Sequence, residues 1–262
     1  MPRHSRRPGR RWTAALIAVL PLTVLPQAVA DHAHPPGPVN AQSTFKWGHP
    51  LWQDDFESAM PDFYRLAGPG PVRTQFGMLT LNTSTEGTVT ALRDRPGHST
   101  GRWEIRLRSR RYSTDAANFR VRTELVPAGE EQHCGARDVA LEGYRLGGRR
   151  AHLWIRNLPN HEFHASRPLG LGDDRWHTFA VEITEERVSW FVDAHVVRTE
   201  RRAEALSGVP LTVRFTMQAA PGARMNRSRM QMDWLRYFTL DRPNAKPVDA
   251  PATTAGAYAG AC

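Results

Sequence analysis

The sequence predicts an all-β protein, an antiparallel β-sandwich of jelly-roll type, on three observations. Apolar residues alternate with polar ones along most of the chain, Gly, Pro, Asn and Asp cluster between those runs, and few windows set apolar residues at helical spacing. In "RWEIRLRSR" Trp103, Ile105 and Leu107 alternate with Glu104, Arg106 and Arg108. "HTFAVEIT" repeats the pattern with Phe179, Val181 and Ile183, "RVSWFV" with Val188, Trp190 and Val192, and "LTVRFTM" with Leu211, Val213, Phe215 and Met217. Successive strand side chains point to opposite faces, so each run buries one face, and two such sheets packed together make a sandwich. Sandwiches serve both as binding modules and as hydrolases, so the class alone selects no function.

Along the chain, residues 1–30 read as a secretory leader. Arg3, Arg6, Arg7, Arg10 and Arg11 precede an apolar run from Ala14 to Val29, which carries Pro21 and Pro26 and ends in the small-residue cleavage pattern Ala28-Val29-Ala30. The run is too short and interrupted for a membrane anchor, so a secreted protein beginning at Asp31 is expected, with no membrane contact after cleavage. Residues 31–44, rich in Pro, His and Ala, read as a linker, residues 45–242 as one domain, and residues 243–262 as a disordered tail. The leader holds five Arg and no acid, so its removal takes the formal charge from +9 to +4. The remaining cations are Arg apart from Lys46 and Lys246, and they fall at alternate strand positions instead of in one stripe. That pattern argues against nucleic acid and reads as solvated strand faces, with an anionic polysaccharide partner as the alternative. Cys134 and Cys262 either pair outside the cell, closing a loop worth about 4–5 kcal/mol in the chain-entropy model, or stay apart because Cys262 ends the tail.

"FGMLTLNTS" (76–84), "GRWEIRLRS" (101–109), "DDRWHTFAVEITEERVSWFVDAHVVRT" (173–199) and "MDWLRYF" (232–238) together resemble glycoside hydrolase family 16, secreted concanavalin A-like sandwiches that cut β-glucans, agars and carrageenans. The resemblance spans nearly the whole domain. It implies a retaining mechanism whose carboxylates lie on one strand, reading Glu-x-Asp-x-Glu or the same with one residue inserted before the last Glu. The first Glu is the nucleophile, the last the acid/base, and the Asp between them orients the nucleophile. Residues i, i+2 and i+4 of a strand share a face, which puts all three acids into one groove.

The matching stretch, "CGARDVALEGY" (134–144), holds only Asp138 and Glu142. In one register Asp138, Ala140 and Glu142 fill the three positions, leaving an acid/base, a shortened nucleophile and no helper. In the other Ala136, Asp138 and Ala140 fill them, and only the helper survives. A nucleophile displaced by about 1 Å costs on the order of a hundredfold, so either register weakens catalysis. Two readings therefore stand: a retaining hydrolase of a β-linked polysaccharide using Asp138 and Glu142, and a carbohydrate-binding sandwich that kept the groove and lost the chemistry. A protein-interaction domain without a sugar ligand is a third. Met217 and Gln218 stand where the family often has a Trp for sugar stacking, and Ala194 replaces a Gly of the family's turn.

For sugar binding the sequence offers Trp154, His152 and Arg156 on the next strand, an aromatic face with fixed donors. Trp103, Trp176, Trp190 and Trp234 match positions that pack the family's core, while Asp54, Asp55 and Glu57 match a structural entry strand. Glu130 and Glu131 read as solvated loop charges, and the pairs "HAH" (32–34) and "HEFH" (161–164) as incidental. No cofactor is required. The resemblance implies a structural calcium held by Asp233 and the Gly77 carbonyl, a hard cation on oxygen ligands, stabilising and not catalytic. A monomer with a polysaccharide partner is expected.

Overall fold

In a computed structural model, residues 39–129, 137–157, 159–171 and 174–258 are described. The leader, both cysteines, Glu130 and Glu131 lie outside them. In chain order the elements are α1 (Ala41–Phe45), β1 (Trp52–Asp54), β2 (Tyr64–Ala67), β3 (Val72–Thr74), β4 (Leu79–Asn82), β5 (Val89–Arg93), β6 (Gly101–Arg111), β7 (Arg120–Pro127) and β8 (Asp138–Arg145). There follow β9 (Arg150–Asn157), β10 (His161–Pro168), β11 (His177–Ile183), β12 (Val188–Val192), β13 (His195–Glu200), β14 (Leu211–Gln218), β15 (Ser228–Phe238) and β16 (Thr254–Ala257).

The strands form two antiparallel sheets. One runs β13-β12-β11-β6-β15-β4-β3, with β1 also on β15; the other runs β16-β10-β9-β8-β7-β14-β5-β2. The architecture is the all-β sandwich that the alternation predicts, because the apolar half of each strand turns inward. Trp103, Ile105, Leu107, Phe179, Val181, Val188, Trp190 and Val192 from the first sheet meet Val121, Leu125, Val139, Leu141, Leu153, Ile155, Val213 and Phe215 from the second in one core. Full burial of a large apolar side chain contributes about 1.5–3 kcal/mol, and this layer is the main source of stability.

The outer face of the first sheet is covered by both flanks of the domain. Asn40 caps α1, its side chain accepting from the Ser43 N–H at 2.8 Å, and Lys46 ends the helix at φ +59°. Ala41, Phe45 and Trp47 then pack with Ala180, Phe191, Phe238 and Val248 in a second apolar cluster. The Trp47 indole donates to Asn244 Oδ1 at 2.6 Å, and the Ala245 N–H to the Phe45 carbonyl at 3.0 Å. Residues 243–258, expected as a disordered tail, are thus laid against the body, and β16 adds a strand to the second sheet. The expected linker likewise ends in a helix. Apolar anchors as sparse as Ala41 and Val248 sit in segments whose Pro and Ala content reads as unstructured.

Two of the four tryptophans expected in the core are there, Trp103 and Trp190, both fully buried. Trp176 and Trp234 instead lie half-buried on the outer face, under Arg106 and Arg108 in one case and Arg236 in the other. The reason for Trp234 is a bulge in β15 between Met232 and Trp234, which shifts the inward set to Leu235 and Tyr237. Asp54 is structural as expected, accepting from Tyr64 at 2.7 Å and from Arg93 at 3.0 Å.

Candidate functional site

The outward face of β7, β8 and β9 carries the site. On β8, Val139 and Leu141 point into the core, so Asp138 and Ala140 point out. A bulge follows. Thr123 pairs with Glu142 but Glu124 with Ala140, and on the other side Ala140 pairs with Trp154 but Gly143 with His152, so β8 holds one residue more than either neighbour. Beyond it the inward set is Tyr144 and Leu146. The outward positions are therefore 138, 140 and 143, the spacing with one inserted residue, and they hold Asp, Ala and Gly.

Glu142 does not share the groove face with Asp138. It is fully buried, its Oε2 accepting from the Thr123 N–H at 3.1 Å and its Oε1 from the Thr123 hydroxyl at 2.8 Å. The carboxyl clamps the strand that the bulge displaces. Burial pushes its pKa well up, against the Thr123 bonds that favour the charged form.

The outward position that would hold an acid/base is filled by an aromatic ring. Gly143 lies under Trp154, and a Cβ there would come within 2.4 Å of the ring carbons Cη2 and Cζ3. Gly143→Ala must displace the ring and is expected to lower stability by about 1–3 kcal/mol. An unchanged urea midpoint would show that the ring moves freely. From this position the Trp154 indole N–H donates to Asp138 Oδ2 at 3.1 Å, and Arg156 Nη1 stands 3.4 Å from the same oxygen.

Asp138 is itself buried, 2% exposed, beside a carboxyl that sequence reasoning missed. Glu124 on β7 is 1% exposed, and its Oε2 accepts from Arg214 at 3.0 Å while Arg122 stands 3.7 Å from Oε1. Burial raises the Asp138 pKa well above the carboxylate range, Glu124 adds its charge and a hydrogen bond in the same direction, and Arg156 and Trp154 oppose them. Asp138 Oδ1 and Glu124 Oε1 accept no hydrogen bond from any N–H, and Arg122 stands only within ion-pair reach of the latter. "FRVRTELVP" carried the signal for Glu124, since alternation sets it outward with Arg120 and Arg122.

Of the expected binding residues, the structure brings Trp154, Arg156 and His152 into one cleft of about 360 Å3, together with Arg120, Arg122, Arg145, Glu162 and His164. Trp154 is only 7% exposed, flanked by the guanidinium groups of Arg156 at 4.8 Å and Arg122 at 5.6 Å from its ring centre. Met217 is wholly buried, and Gln218 lines an adjoining cleft of about 460 Å3 that shares Arg120, Arg122 and Arg145. The histidines of "HEFH" do not meet in a metal cluster, and no cluster of three or more His, Cys, Asp or Glu groups is found among the described residues.

At the expected calcium position, Asp233 is the extra residue of the β15 bulge, and its Oδ2 accepts from Arg106 at 2.7 Å, both side chains being nearly buried. The Glu57 carboxyl lies against Gly77, where an added Cβ would meet it at 2.9 Å. Arg106 supplies the positive charge that the expectation gave to a cation. A divalent ion does not fit beside that guanidinium without displacing it.

No protein-family model and no curated protein matches the chain. Solved structures do. An endo-acting O-glycanase of the human gut microbiota is 16% identical and superposes with a TM-score of 0.58 over 74% of this chain and 100% of its own. The laminarinase from Rhodothermus marinus is 13% identical, with a TM-score of 0.59 over 72% of this chain and 96% of its own. The non-specific endo-β-1,3(4)-glucanase SCLam of family GH16 is 12% identical, with a TM-score of 0.59 over 77% and 94%. The fold is that of the family 16, concanavalin A-like sandwiches.

Proposed function

We propose that this sandwich, sharing its fold with family 16 glycanases, is an exported polysaccharide-binding protein whose groove does not carry out hydrolysis. The observation that carries the reading is the set of outward residues on β8. A retaining glycosidase needs two carboxyl groups about 5–5.5 Å apart across the bond it cuts, one ionised for attack and one protonated to release the leaving group. Here the acid/base position is Gly143 under the Trp154 ring, the helper position is Ala140, and Asp138 lies buried beside Glu124, where burial and the neighbouring carboxyl disfavour its ionised form. A carboxyl whose ionised form is disfavoured is a poor nucleophile, and Glu142 serves the bulge. The groove keeps what binding requires: a cleft with fixed donors on a rigid sheet, in a fold whose other members grip glycan chains.

The test is Asp138→Asn beside Glu142→Gln. Asparagine keeps an oxygen for the Trp154 N–H and supplies an N–H to Glu124, so its structure is retained. Both variants and the parent protein are expected to release no reducing ends from β-glucans or galactans, and all three to be retained to the same degree on an immobilised polysaccharide. Turnover by the parent that either substitution abolishes would overturn the proposal in favour of a hydrolase.

A further inference from the structure

The groove face is unlike a platform for a neutral sugar chain. Neutral pyranose rings are held largely by stacking on open aromatic faces, and the aromatic ring of this cleft, Trp154, is covered to all but 7% of its surface. What the cleft presents instead is guanidinium. Arg120, Arg122, Arg145, Arg150, Arg156 and Arg214 all stand on the outward side of β7, β8, β9 and β14, with His152 and His164 among them.

The carboxylates beside them are too few to neutralise this face. Glu124 pairs with Arg214 and Arg122, while Glu162 at 2.9 Å and Asp138 at 3.4 Å both lie against the single guanidinium of Arg156. Arg120 and Arg145 face each other across β7 and β8, and among the described residues no carboxylate lies within ion-pair reach of either. Both clefts share these two side chains. His152 reports the same field, its pKa lowered by burial and then by Arg120, Arg150 and His164, with no anion to oppose them.

Resting on the binding reading above, we infer that the ligand is a polyanionic glycan, its sulfate or carboxylate groups received by Arg120 and Arg145 where the two clefts meet. Guanidinium groups bind both kinds of anion through paired N–H donors, and a groove lined by one sign of charge concentrates a chain of the opposite sign.

The experiment is affinity electrophoresis through gels containing hydroxyethyl, carboxymethyl or sulfated cellulose, and through neutral or sulfated galactan, at low and at 0.5 M salt. The anionic gels are expected to retard the protein at least about tenfold more strongly than the neutral gel of the same backbone, and salt to reverse it. Which anion acts more strongly distinguishes sulfate from carboxylate. Arg120→Ala with Arg145→Ala, both exposed and expected to leave the melting temperature unchanged, should weaken that retention by about tenfold or more. Equal retardation by neutral and charged gels, or retention untouched by the double variant, overturns this inference and leaves the binding reading standing. No retardation in any gel overturns both. Binding of single-stranded oligonucleotide as tight as that of the sulfated glycan overturns the assignment to glycan.

Discussion

Trp190→Ala is expected to lower the unfolding free energy by about 4–5 kcal/mol. Trp190 is wholly buried on β12, inward among Phe179, Val181 and Ile155 in the central layer. Its indole N–H crosses to the other sheet and donates to the Ala140 carbonyl at 2.8 Å. The bond reaches β8 where its bulge begins, where the carbonyl of Ala140 is displaced from a regular ladder. Alanine opens a cavity and strands that carbonyl, whereas Trp190→Phe keeps most of the volume and loses only the donor, for about 1–3 kcal/mol. Urea unfolding at fixed pH separates the two. Equal midpoints for both variants would show that loss of the inter-sheet bond, and not of the packing around the ring, carries the effect.

Stability is expected to rise as pH falls from 8 toward 5, the reverse of proteins dominated by ion-paired carboxylates. Glu104, fully buried on β6, accepts from the Ala41 N–H at 2.5 Å, yet burial raises its pKa from 4.5 to about 7. Asp138 and Glu142 are raised by the same cause. A group whose folded pKa exceeds its unfolded value holds a proton that the unfolded chain has released, so its contribution is complete below the unfolded pKa and is lost as pH rises through the folded one. For Glu104 alone this amounts to about 3 kcal/mol between pH 4.5 and 7. Glu200 acts in the opposite sense, lowered to about 2: desolvation is outweighed by its bonds from Arg202 and Thr253, and its contribution is lost as pH falls through about 2. The maximum should lie near pH 4.5–5, and Glu104→Gln should flatten the slope above it. Melting temperatures at pH 5, 7 and 8.5 decide the matter; a curve that rises toward pH 8 contradicts the account.

The strands and their facing were legible in the residues because burial of one face imposes a period of two that composition displays directly. The bulge on β8 was legible too, in a form easy to overlook: Val139 and Leu141 are two apart, but the next inward residues, Tyr144 and Leu146, are out of phase with them. Reading the stretch as a regular strand put Glu142 in the groove. What no single strand reveals is the neighbour across the ladder. Glu124 lies fourteen positions before Asp138, and only the β7–β8 register brings the two carboxyls together. The arginine face was visible as scattered strand positions whose alternation looked like ordinary solvation; the sheet gathers them onto one surface.

The last strand has a consequence for association between copies. Without β16, β10 would present a row of unpaired N–H and C=O groups at the rim of the groove sheet, the feature by which sheets recruit foreign strands. Thr254–Ala257 occupies that row in register with His161–His164, Tyr258 donates its N–H to the Asn160 carbonyl at 2.8 Å, and the Arg156 guanidinium rests 3.9 Å from the Tyr258 ring centre. An arginine of the groove thus also pins the guard strand, so loss of Arg156 loosens both at once: the edge becomes adhesive where the ligand cleft is weakened.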